Sequence, residues 1–210
     1  LRLNDYFAQR GWIGSRLSRK IIHIGTGPIF VLCWLLFTDS AIARYLAALI
    51  PLAITAQFAL VGSGLIQDPA AVAAMSRSGD RREILRGPLF YGIVFVLLTI
   101  LFWRNSPVGI TALMLLCGGD GLADVFGWRG NGGKLPWSDR KSWLGSLAMF
   151  GGGWLFAALV LGIYLAVGYF SPHTVVDFLP AITGIALVAT IVESFPVQDI
   201  DNLTVPAVAI

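Results

Sequence analysis

Six apolar runs, each close to the length that crosses a bilayer, dominate this chain at 21–37, 41–66, 88–103, 107–126, 146–170 and 175–195. A hydrocarbon core about 30 Å thick takes roughly 20 apolar residues of helix. Within lipid the backbone must satisfy its own hydrogen bonds, which for single runs of this length means α-helix. A seventh run opens at Leu203 and is cut by the last residue, Ile210. Charged residues make up 13% of the 210 and hydrophobic ones 56%, with mean hydropathy +0.76. A soluble domain carries about 25% charge, so this chain cannot cover itself with polar surface. The expectation is an all-α polytopic membrane protein of about seven transmembrane helices. Its charged loops are too short to fold alone, so residues 1–210 read as one domain. Because the first residue is Leu and the last run is interrupted, the chain is expected to be a piece of a longer protein.

Alternating crossings sort the loops onto two sides. One side holds Arg2, Arg10, Arg16, Arg19 and Lys20, then the loop 67–87 with Arg77, Arg81, Arg82 and Arg86. The loop 127–145 with Arg129, Lys134, Arg140 and Lys141, and the segment 196–202, share that side. The other side has Thr38, Asp39 and Ser40 with Arg44 just beyond, the turn at Arg104, and the segment 171–174. Thirteen of the fifteen Lys and Arg residues thus fall together. The positive-inside rule places that side toward the cytosol or its organellar equivalent. The two cysteines, Cys33 and Cys117, lie inside apolar runs and offer neither a disulfide framework nor a zinc site. Basic and aromatic residues do not interleave on a soluble face, so nucleic acid is not an expected partner.

Nearly all residues able to do chemistry gather on the basic side. Gly118-Gly119-Asp120-Gly121-Leu122-Ala123-Asp124 closes the fourth run. Asp120 and Asp124, four apart, project from one helix face. A carboxylate at the end of an apolar span is costly unless paired or bound to a cation. Two close carboxylates suit Mg²⁺, which keeps a few oxygen ligands and shares substrate phosphates. Pairing with a neighbouring cation without metal is the alternative. Gly119 and Gly121 permit close approach of a ligand to the backbone, or serve helix packing alone.

Downstream, Lys134 and Lys141 flank a short loop, and Ser142 is placed to cap the next helix near Gly145. Free N–H groups at a helix start attract phosphate. Acids for a metal, followed by lysines and a helix start, are parts that phosphoryl transfer uses against developing charge. Anchoring at the lipid headgroups explains Arg140 well, but explains less well the Gly- and Ser-rich setting of Lys141. No Walker A spacing is present. His23 stands four residues after Arg19 at the start of the first run. Arg81 and Arg82 either clamp phosphate or hold their loop at the headgroups, and Pro88 is placed to begin a helix. Glu193 ends the sixth run, with Asp199, Asp201 and Asn202 beyond.

Taken in order, several motifs resemble the polyprenol kinase family, which includes phytol, farnesol and, more distantly, dolichol kinases. They are Arg19-Lys20-Ile21-Ile22-His23, the stretch from Met75 to Glu83, Gly87-Pro88-Leu89-Phe90-Tyr91, and Gly119 to Asp124. Lys134-Leu135-Pro136-Trp137, Lys141-Ser142 with Gly145-Ser146, Glu193-Ser194 and Asp201-Asn202-Leu203 complete the series. The stretch from Met75 to Tyr91 is most similar to plant-type phytol and farnesol kinases. The resemblance implies phosphoryl transfer, usually from CTP with Mg²⁺, to the hydroxyl of an isoprenoid alcohol. For the phytol branch it implies phytyl phosphate as product, a role toward tocopherol, and a chloroplast or cyanobacterial membrane. Arg129 stands one position away from a basic residue in many relatives.

The expected site joins these readings. Asp120 and Asp124 hold Mg²⁺ on the nucleotide phosphates, and Lys134 and Lys141 neutralise the transferring or leaving group. Arg81 and Arg82 contact the nucleotide, with Gly119, Gly121, Ser142 and Gly145 beside it. Glu193 or His23 orients or deprotonates the alcohol. The rivals are a CTP-using cytidylyltransferase for lipid phosphates and, less favoured, a transporter. A transporter would place its acids at mid-membrane and polar groups at both faces.

Overall fold

Helices occupy every expected run in the computed structural model, which describes residues 12, 14–129, 133–195 and 200–210. In chain order they are α1 (Ser15–Cys33), α2 (Ala43–Ser63), α3 (Pro69–Met75), α4 (Gly87–Phe102), α5 (Pro107–Met114), α6 (Gly121–Arg129), α7 (Trp143–Ala166), α8 (Val175–Ser194) and α9 (Asp201–Val208). Short 3₁₀ turns cover Trp34–Leu36 and Arg81–Leu85, and a π-helical turn, Leu115–Asp120, joins α5 to α6.

Among the described residues, five segments are long and apolar enough to span a bilayer: Ala43–Ser63, Arg81–Phe102, Pro107–Gly127, Trp143–Ala166 and Val175–Ser194. The expectation of about seven is therefore met for five. The apolar stretch that begins within α1, Lys20–Leu36, is shorter, and α9 has eight residues with Pro206 inside.

Local signals place the helix ends. Asp68, Ser106 and Ser142 each accept a backbone N–H from the first turn of α3, α5 and α7, satisfying donors that a helix start leaves open. Proline opens α3, α4 and α5, where its missing N–H costs nothing. Thr174 and Asp177 form a reciprocal capping box at α8.

The core forms where glycines let backbones touch. A Cβ on Gly118 would lie 2.5 Å from Phe156 Cγ and 2.9 Å from Gly152 O, and one on Gly152 would lie 2.6 Å from Gly118 O. The π turn thus lies directly on α7, an approach that small residues permit in membrane proteins. At the far end of the bundle Arg104 donates to the carbonyls of Trp34 and Phe37 and pairs with Asp39. The two turns expected on the less basic side therefore meet.

The loop expected between Lys134 and Lys141 is an antiparallel hairpin of β1 (Lys134–Leu135) and β2 (Ser138–Ser142). Leu135 and Ser138 are buried beneath it, and Trp137 Nε1 donates to Ser194 Oγ at the end of α8. Pattern reading missed it because β1 is only two residues long.

Candidate active site

The π turn sets Asp120 at the inner edge of the bundle, 8% exposed. One widened turn changes which way the following side chains face, and such turns recur at functional sites. Lys20 on α1 reaches both acids of the motif, with Nζ 3.4 Å from Asp120 Oδ2 and 3.3 Å from Asp124 Oδ2. Asp120 and Asp124 do face one way, and a lysine stands between them. His23 Nε2 lies 3.3 Å from Asp120 Oδ2 and 3.1 Å from the carbonyl of Leu116. Both neighbours are acceptors, so Nε2 carries the proton and donates.

A second cluster closes over the first. Lys141 on β2 pairs with Glu193 at the end of α8 and lies 3.1 Å from Asp201 Oδ2 at the start of α9. Burial disfavours the Lys141 ammonium, but the Glu193 and Asp201 carboxylates outweigh it and raise its pKa to about 12. Burial raises Asp201 above the ordinary carboxylate range despite Lys141 beside it. Ligand oxygens of Asp120, Glu193 and Asp201 all lie within 4.8 Å of one another. Asn202 follows; its Nδ2 donates to Gly87 O at 2.8 Å, while its buried Oδ1 has no hydrogen-bond partner among the described residues.

These groups line one end of a cavity of about 1830 Å³, larger than the roughly 300–1,000 Å³ of ordinary ligand pockets. Lys134, Arg140, Arg77, Arg82 and Arg86 border the same end, and the cavity continues between α1, α2 and α4 along apolar side chains. One end is charged and the other apolar.

Most of the expected residues meet here. His23, Arg82, Asp120, Asp124, Lys134, Lys141, Ser142, Gly145 and Glu193 all line the cavity. Ser142 caps α7 through Gly145 N at 3.1 Å, as its position suggested. Three do not join them. Arg81 turns away, with its guanidinium against Gly64 at the end of α2, in a smaller pocket. Gly119 packs on Met149, and Gly121 on Ile24, where a Cβ would be 2.4 Å from Cγ1. Both glycines serve helix contact, the alternative left open by the sequence. Arg129's side chain and Asp199 lie outside the described residues.

Sequence reasoning gave no role to Lys20, Asp201 or Asn202. Lys20 had a usable signal, since it stands three before His23 on a helix and so shares its face. Asp201 and Asn202 stood in the motif Asp201-Asn202-Leu203, but only the fold of α9 against α4, α8 and the π turn brings them to the site.

No protein-family model and no solved structure matches the chain. Among curated proteins it is 41% identical over 209 residues to one named probable phytol kinase, chloroplastic, of Triticum aestivum, covering 98% of this chain and 69% of that protein. It is 41% identical over 208 residues to probable phytol kinase 1, chloroplastic, of Oryza sativa subsp. japonica, covering 98% and 66%. With phytol kinase 1, chloroplastic, of Arabidopsis thaliana it shares 37% over 208 residues, covering 98% and 68%. The chain spans about two thirds of the length of these relatives.

Proposed function

Because the chain belongs to the phytol kinase family, we propose that it is a phosphotransferase acting on an isoprenoid alcohol, phytol above all, with CTP as donor and Mg²⁺ at the site. The observation that carries this reading is the joining of a carboxylate and lysine cluster to an apolar arm in a single cavity. A lipid alcohol needs the arm and a nucleotide triphosphate needs the cluster.

The residues fit a hard divalent cation. Asp120, Glu193 and Asp201 offer oxygen ligands at close range, and Asn202 Oδ1, without a partner among the described residues, adds a further acceptor nearby. In this assignment Asp201 joins Asp120 as a ligand, Asp124 is held by Lys20, and Glu193 is left to the alcohol. Bound there, Mg²⁺ would neutralise the charge of the phosphates.

The alcohol oxygen attacks the γ-phosphorus, the bond from that phosphorus to the β–γ bridging oxygen breaks, and CDP leaves. Lys141 on β2 and Lys134 on β1, which both line the cavity, meet the charge that grows on the leaving group. The hydroxyl proton passes to a carboxylate. Glu193 is favoured over His23, whose Nε2 already donates and has no lone pair there. His23 positions Asp120 instead. Arg82, Arg77 and Arg86 border the nucleotide end, whereas Arg81 does not. Transfer of this kind relies on positioning and charge more than on covalent help.

The apolar helices and the chloroplastic relatives support a chloroplast membrane, with the cluster at the face corresponding to the cytosol by the positive-inside rule. The test is purified protein given CTP or ATP with phytol, geranylgeraniol, farnesol or dolichol. Lipid monophosphate with CDP is the expected product. A CDP-lipid with pyrophosphate would establish the cytidylyltransferase reading instead, and no transfer at all would end both.

A further inference from the structure

The charged cluster takes up one end of the cavity and leaves its long apolar arm to be explained. Phe30, Cys33 and Phe37 from α1 and the turn after it line this arm, with Ile54 and Phe58 of α2 and Phe95 of α4 opposite. From His23 to Phe37 the chain rises about 20 Å along the helix axis.

The arm is open at one side and closed at its end. Ile29 and Ile50 both line it, yet are 66% and 56% exposed. Among the described residues α2 packs along α4, while α1 packs on α3, α6 and the π turn, with little direct packing between α1 and α2. The opening therefore faces the surface where lipid lies. At the far end Trp34 is fully buried, 5.2 Å from the Trp103 ring, and Phe37 is 5.8 Å from the same ring. Arg104, 2% exposed, donates to the carbonyls of both Trp34 and Phe37. A wall tied by such bonds has little freedom to yield.

We propose that the apolar arm holds the isoprenoid tail of the substrate, admitted sideways from the bilayer between α1 and α2, and that the wall at Trp34 and Phe37 limits tail length. This rests on the lipid-alcohol reading above. It adds where the tail lies, how it enters and what stops it. The occupant must be a lipid chain because the arm is continuous with the phosphoryl-transfer groups and opens toward acyl chains. A hydroxyl set beside Asp120 and His23 leaves its hydrocarbon to run down α1.

Cys33 lies near the closed end of the arm and, with Cys117 buried, is the thiol best placed to report on it. In full-length protein in lipid nanodiscs, N-ethylmaleimide should modify Cys33, as read by peptide mass spectrometry. Saturating phytol should slow this about tenfold, and geraniol much less, since added buried methylenes strengthen binding. Failure of Cys33 to react without alcohol, or equal rates with and without phytol, overturns the proposal. In a second arm, Cys33→Trp narrows the passage and should raise the KM of phytol relative to geraniol about tenfold, the effect of excluding roughly two methylene groups. An unchanged ratio overturns it too. Phytol protection without phosphoryl transfer would sink the kinase reading and leave the tail site standing. Transfer without protection would do the reverse.

Discussion

The Lys20 ammonium lies 3.4 Å from the Asp120 carboxylate, one hundred residues further along the chain. This contact ties α1 to the π turn and supplies the nearest positive charge to a buried acid. Removing one partner of such a pair strands the other, at a cost of about 3–5 kcal/mol when fully buried. Lys20→Met should lower the midpoint of thermal unfolding in detergent, with a loss of about 3 kcal/mol. Added Mg²⁺ should recover more stability in this variant than in the parent, because the cation replaces the missing charge. Equal recovery in both proteins would argue against a cation at Asp120.

The two acids of the motif should separate in their effects. Asp120 faces Glu193 and Asp201, whereas Asp124 is held by Lys20. Asp120→Asn should reduce transfer of label from CTP to phytol by about 10³-fold, the scale of a lost electrostatic catalytic group. Asp124→Asn should cost about tenfold, acting only through the position of Lys20. Both variants should still insert in membranes. Full activity in Asp120→Asn would remove the metal assignment.

The pH dependence follows from two shifts of the same sign on opposite charge types. Despite burial, the Glu193 and Asp201 carboxylates push the Lys141 pKa up to about 12, above the ordinary lysine value of 10.5. Its pairing therefore contributes fully below the unfolded value and is lost only as pH climbs through the folded one. No alkaline fall in rate from Lys141 is expected up to about pH 10. Asp201 is also raised, so its ionised form is the disfavoured one, and its proton competes with a cation. Stabilisation by Mg²⁺, read as a shift in melting temperature, should accordingly be smaller at mildly acidic pH than at mildly alkaline pH. The opposite trend would contradict the placement of Asp201 in the cluster.

Gly118 tests the packing that holds Asp120 in place. An added methyl would stand 2.5 Å from Phe156 Cγ and 2.9 Å from Gly152 O. Overpacking of this kind costs about 1–3 kcal/mol. Gly118→Ala should lower thermal stability by that amount and reduce phosphoryl transfer as well, since the π turn carries Asp120. Wild-type stability in Gly118→Ala would show that α7 and the π turn do not approach so closely.

The apolar runs, the proline and serine signals at their ends, and the one-sided basic charge were all legible in the chain, because bilayer thickness and helix capping act on neighbours in sequence. So was the membership of most of the site, from the motif around Asp120 to Lys141 and Glu193. What the chain alone did not reveal depends on contacts between distant segments. Lys20 standing between Asp120 and Asp124, Asp201 meeting Lys141, Arg81 turning toward Gly64, and the hairpin docked by Trp137 are of this kind. A charge reads the same in sequence whether its partner is a metal, a lysine or water; only packing brings the partner close and excludes solvent, and that choice was made by the tertiary structure.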